Sequence, residues 1–265
     1  MNSFVEDGVV TLRVGPSEKT HDRIVHRTLL RQHSPFFDSA LQKDWKENKS
    51  NIIELPEDDV KIVDLYISWV YRQNPFVHPV PCQCSKNFRE LERFTVGAWQ
   101  FGDKVLDHPF CDLVIDVALA HGGATQIYPL PLFSATFDTS ARDAPVHNLL
   151  GDAFVYLAKP KWLDAIVCSA EAYKEIARRC MSDGYILNGE KFTPSNAPWI
   201  KDPCVYHLHK KNGGICYKDK VEWGKDIVVS VYCSTIFRPV CSKLTGNQMT
   251  PPMADDEQAK KKRKM

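Results

Sequence analysis

Val10, Leu12 and Val14 alternate with Thr11 and Arg13, the period of two that marks a half-buried strand. The turn-forming run GPSEKT follows and RIVH returns, so the chain opens on a predicted β-hairpin. The pattern then changes to a helical period. HRTLLRQH and SPFFDSAL read as two short helices, the second started by the cap residue Ser34 and by Pro35 at its first helical position, with Phe36, Phe37, Ala40 and Leu41 on its buried face. NIIEL is a short buried strand. PEDDVKIVDLYISWVYRQ is a helix with an acidic start and an apolar face at Val60, Val63, Ile67 and Val70. The proline-rich NPFVHPVPCQCSKN reads as a loop. Two further helices come after it. One carries Phe88, Leu91, Thr95, Ala98 and Trp99. The other carries Phe110, Leu113, Val114, Val117 and Ala118, behind Pro109 and ended by Gly122 and Gly123. Downstream, DAPVHNLLGDAFVYLA and PKWLDAIVCSAEAYKEIARRC each have helical apolar spacing and are separated by Lys159-Pro160. Leu29, Leu30, Phe36, Phe37, Leu41, Ile67 and Trp69 are expected in or near the core.

These elements predict an α+β chain, a small sheet with helical hairpins followed by a mainly helical extension. The order of hairpin, helix pair, strand, helix and helix pair resembles the BTB/POZ domain, closest to the fungal forms. The residues that carry the resemblance are the strand ending in Val14-Gly15, VHRTLLRQHSPFF, IIELPEDD and YISWVY. The resemblance covers about the first 120 residues and divides the chain into a BTB/POZ-like domain at 1–122, a helical extension at 123–200, a Cys/His-containing segment at 201–243 and a basic tail at 244–265. It implies a non-enzymatic protein–protein interaction module, an adaptor or scaffold. Val9 stands where the family commonly has an acidic residue. The short lead before the first strand implies that the strand-exchanging N-terminal element of many animal members is absent. In members that recruit a cullin ubiquitin-ligase scaffold, a hydrophobic residue, any residue and a glutamate follow the SPxF helix. Trp45 and Glu47 fall at those positions, so Trp45 either anchors a cullin or covers the end of the helix pair.

Composition narrows the function classes. With 265 residues, 43% hydrophobic and 25% charged, the chain can bury a sizeable core. A formal net charge of +1 argues against general affinity for nucleic acid or anionic membrane. No apolar run approaches the ~20 residues a membrane helix needs, and MNSFVEDGVV lacks a signal core. The nine cysteines are therefore expected as reduced thiols of an intracellular protein, available for packing or metal. No phosphate-binding glycine loop, nucleophile elbow or H-E-x-x-H is present. DGYILNGEKFTPSNA, residues 183–197, resembles a strand phrase of acyl-CoA dehydrogenases and supplies the contrasting reading of a flavin-linked enzyme.

Two clusters carry candidate chemistry. CVYHLHKKNGGIC offers Cys204, His207, His209 and Cys216, two thiolates and two imidazoles, the donor set that zinc takes tetrahedrally. On a strand His207 and His209 would point the same way, and a turn at Gly213-Gly214 would return Cys216 to Cys204. The cluster either holds a structural zinc, with Cys233 or Cys241 as the fourth ligand if only three of the four converge, or is a chance grouping in a chain with no cofactor. A catalytic zinc is not expected, because no glutamate or other water-activating partner is placed next to the cluster. Lys260, Lys261, Lys262, Arg263 and Lys264 resemble a single-cluster nuclear import signal, which implies an importin partner and residence in the nucleus, or in nucleus and cytoplasm. Without interleaved aromatics the same run gives no specific nucleic-acid reading.

Overall fold

The computed structural model describes residues 8–42, 50–72, 88–125, 128–158, 162, 167–182, 196–202 and 204–219. The hairpin forms as β1 (Val9–Val14) and β2 (His21–His26), antiparallel, with Val10 opposite Val25 and Leu12 opposite Arg23. Gly15 leads out of β1 at φ +94, with Lys19 carbonyl oxygen 2.9 Å from where a Cβ would sit, so the turn needs glycine there. β3 (Ile52–Leu55) lies parallel to β1 on its other edge, giving the order β2-β1-β3. Val10, Leu12, Val14, Val25, Ile53 and Leu55 all turn to the core, while Arg13 on the outer face reaches Asp22 and Glu54.

Between β2 and β3 run α1 (Arg27–His33) and α2 (Pro35–Ala40). Ser34 is the predicted cap: its Oγ accepts the Phe37 N–H at 3.1 Å, and Pro35 holds the first helical position. α3 (Val60–Arg72), α4 (Phe88–Lys104) and α5 (His108–Thr125) follow, the last two packed against each other. Leu30, Phe37, Leu41 and Trp69 are buried, and Leu29, Phe36 and Ile67 pack against the same core. The core-facing side of α3 is wider than the sequence stripe, since Ile62, Leu65 and Tyr66 are buried as well. A buried carboxylate fixes the α4–α5 corner. Asp107 caps α5 by accepting the Phe110 N–H at 3.1 Å, and its other oxygen accepts Tyr66 Oη–H at 3.1 Å and Trp69 Nε1–H at 3.0 Å.

Further along the described residues come α6 (Leu130–Thr139), a 3₁₀ turn at Pro145–Asn148, α7 (Leu149–Leu157), α8 (Ala170–Ser182), α9 (Pro198–Lys201) and α10 (His209–Asn212), with a last 3₁₀ turn at Tyr217–Asp219. The chain is therefore α+β, a three-stranded mixed sheet with helices, and one continuous apolar core joins sheet, helices and extension.

Two boundaries differ from expectation. Gly122 and Gly123 do not end α5, which runs on to Thr125. Gly122 instead makes room for a neighbour, because a Cβ there would stand 2.1 Å from the Tyr128 ring. The stretch expected to be helical from Pro160 to Cys180 is not continuous: Trp162 is helical, residues 167–169 are not, and α8 starts at Ala170, where Ser169 Oγ accepts the Ala172 N–H at 3.2 Å. Val167, just before it, is 92% exposed.

Candidate metal centre

Asp202 and residues 204–219 form a compact hook laid on α5 and α7. Its first turn is set locally: Asp202 Oδ1 accepts the Cys204 N–H at 2.9 Å, and the His207 N–H reaches the Cys204 carbonyl at 3.0 Å. The strand expected through His207 and His209 is absent from these residues, which form turns and then α10. The side chains converge by a different route. Gly213 closes α10 in the left-handed conformation at φ +68, and the chain reverses there, so the predicted glycine turn does return Cys216 to Cys204.

Three buried carboxylates hold the hook. On α5, Asp112 Oδ1 accepts the Leu208 backbone N–H at 2.6 Å, and its Oδ2 lies 3.4 Å from His209 Nδ1. One turn further along the same helix, Asp116 accepts Tyr217 Oη–H, pairs with Lys218 Nζ at 2.6 Å and stands 3.0 Å from His207 Nε2. At that approach Nε2 is buried and forms no hydrogen bond. On α7, Asp152 accepts Tyr206 Oη–H at 2.8 Å and Arg179 Nε–H of α8 at 2.7 Å. Apolar contacts complete the seat: Tyr217 meets Trp69 of α3 edge-on, and Tyr206 packs on Trp199.

Inside the hook the four predicted ligands face one another. Their donor atoms all lie within 4.8 Å of one another. Cys204 and Cys216 sulfurs are 3.8 Å apart, and Cys216 Sγ is 3.7 Å from His207 Nδ1. Cys216 and His207 are buried, Cys204 and His209 half-buried. Burial pushes the Cys216 thiol up to about 12 and raises Cys204 as well, so without a cation both sulfurs are protonated at neutral pH. Burial also raises Asp112, opposed by the charge of His207 and by the Leu208 N–H.

The carboxylates are what sequence reasoning missed. They lie about 90 to 100 positions before the cluster, yet the fold brings Asp112 and Asp116 to the outer nitrogens of both histidines. Their signal was an acid pair four residues apart within the otherwise apolar CDLVIDVALA. Trp45 and Glu47, Lys260, Lys261, Lys262, Arg263 and Lys264, and the substitute ligands Cys233 and Cys241 lie outside the described residues, as does nearly all of DGYILNGEKFTPSNA. Comparison with protein-family models, curated proteins and solved structures finds no match to this chain.

Proposed function

We propose that the chain is a non-enzymatic protein-interaction module of BTB/POZ type, an adaptor or scaffold with a nuclear-import tail. The observation that carries this reading is the order and pairing of the first elements. A hairpin, two short helices and a third strand parallel to β1 are followed by one long helix and a helix pair, the succession the resemblance implies. The chemistry points the same way. The buried acids Asp107 and Asp152 are satisfied by tyrosine, tryptophan, arginine and backbone donors, so they serve the fold. The metal-ligating cluster offers four protein donors and is suited to a closed structural site, not a catalytic one.

Cross-linked affinity purification of the full chain from its own cells, quantified by mass spectrometry, tests this. A protein partner in near-stoichiometric amount, with a colourless purified chain, is the expected result. A bound flavin chromophore and no protein partner would contradict it and favour the enzyme reading.

A further inference from the structure

We propose that Cys204, His207, His209 and Cys216 bind one zinc ion through Sγ, Nδ1, Nε2 and Sγ, and that Asp116 and Asp112 on α5 receive the opposite ring N–H groups, so that the ion staples the hook to the core. The distances carry this. Zinc at about 2.3 Å from sulfur and about 2.0 to 2.1 Å from nitrogen, in tetrahedral angles, requires about 3.8 Å between two sulfur ligands and about 3.5 Å between sulfur and nitrogen. The two sulfurs stand at 3.8 Å, and Cys216 Sγ to His207 Nδ1 is 3.7 Å. Two free thiols, an imidazole nitrogen turned toward one of them and a fourth donor within 4.8 Å thus already have the span of a first coordination shell.

The outer contacts assign the nitrogens. His207 shows Nδ1 to Cys216 while its Nε2 faces Asp116 Oδ1 at 3.0 Å, buried and otherwise without a partner. His209 turns Nδ1 toward Asp112 at 3.4 Å, which leaves Nε2 for the ion. A zinc-ligating histidine characteristically gives its other N–H to a carboxylate, which fixes the tautomer and raises ligand basicity. Ligation through His207 Nδ1 places the proton on Nε2, 3.0 Å from Asp116 Oδ1, and a turn of the ring on binding aims it at that acceptor. On binding, the two thiols release two protons to solvent and the two thiolates neutralise the ion, with Lys218 beside Asp116 offsetting part of the outer negative charge. Four protein ligands leave no open position, so the site is structural. Its ligands and its outer acids are far apart in sequence: His209 and Asp112 are 97 residues apart. The ion therefore ties the end of the described chain to α5, and the claim does not depend on the interaction reading.

The full chain, purified without chelators, is expected to hold about one zinc by elemental analysis, and Cys216→Ser to lose it; less than about 0.2 zinc per chain in the wild type would overturn the proposal. Because Cys216→Ser can also disturb folding, the metal-stripped wild type is titrated with cobalt(II). A one-to-one endpoint with the visible spectrum of a tetrahedral thiolate site supports the assignment, and an octahedral spectrum overturns it. Asp116→Asn is expected to weaken zinc 10–100-fold in competition with a chromophoric chelator, with unchanged circular dichroism at saturating zinc. Tyr217→Phe, which removes the Oη–H donated to Asp116 and keeps the ring, is expected to change affinity no more than a few-fold. Equal loss in both variants, or none in Asp116→Asn, would overturn the role given to Asp116.

Discussion

Asp152 shows how far one side chain can decide the seating of this chain's end. It is almost fully buried, and it joins α7 to α8 through Arg179 and to the hook through Tyr206. Asp152→Ala removes the carboxylate that accepts from Arg179 and from Tyr206. Breaking a fully buried pair costs roughly 3–5 kcal/mol, and Arg179 keeps some access to water, so the expected loss is about 2 to 3 kcal/mol by denaturant titration. Asp152→Asn keeps an acceptor for Tyr206 and is expected to lose less. The four metal-ligand candidates were legible in sequence because thiols and imidazoles fall within one short phrase. Asp112, Asp116 and Asp152 were not, since each reaches the hook across roughly 50 to 100 positions, and no local pattern reports such a contact.

At the scale of elements, the legible parts were those whose determinants are local. Alternation wrote the hairpin, Ser34-Pro35 wrote the start of α2, and the apolar period wrote α3 and α5. The errors came where a local signal had a second meaning. Glycine at 122 reads as a helix end, but in α5 it is a gap filled by Tyr128. Gly122→Ala measures the difference: alanine gains about 1 kcal/mol of helix propensity, whereas overpacking against a buried ring costs about 1–3 kcal/mol. The net expectation is a lower midpoint of thermal unfolding, and a raised one would show that the ring is not held there. Likewise, the alternation of His207 and His209 fits a strand, but the Asp202 turn and the left-handed Gly213 make it a hook. Helical spacing ahead of Ala170 gave no sign that Ser169 would act as the cap.

At the scale of the whole molecule, sheet, helices and extension share one core, and the hook adds a polar fastening to it through α5 and α7. Beyond the hook the sequence ends in the basic run from Lys260 to Lys264. Replacing Lys261 and Arg263 by alanine, in a fusion too large to diffuse through nuclear pores, is expected to move fluorescence toward the cytoplasm; unchanged nuclear enrichment would remove import from the proposal. Loss of the ion is expected to act in the hook before the core. In hydrogen exchange after chelation, amides of 204–219 should lose protection while those of β1 and α3 keep theirs. The central claim, a zinc staple between the hook and α5, is tested most directly by X-ray absorption at the zinc edge of the purified full chain. Two sulfurs at about 2.3 Å and two nitrogens at about 2.0 to 2.1 Å are the predicted shell, and a shell of oxygen and nitrogen without sulfur would contradict it.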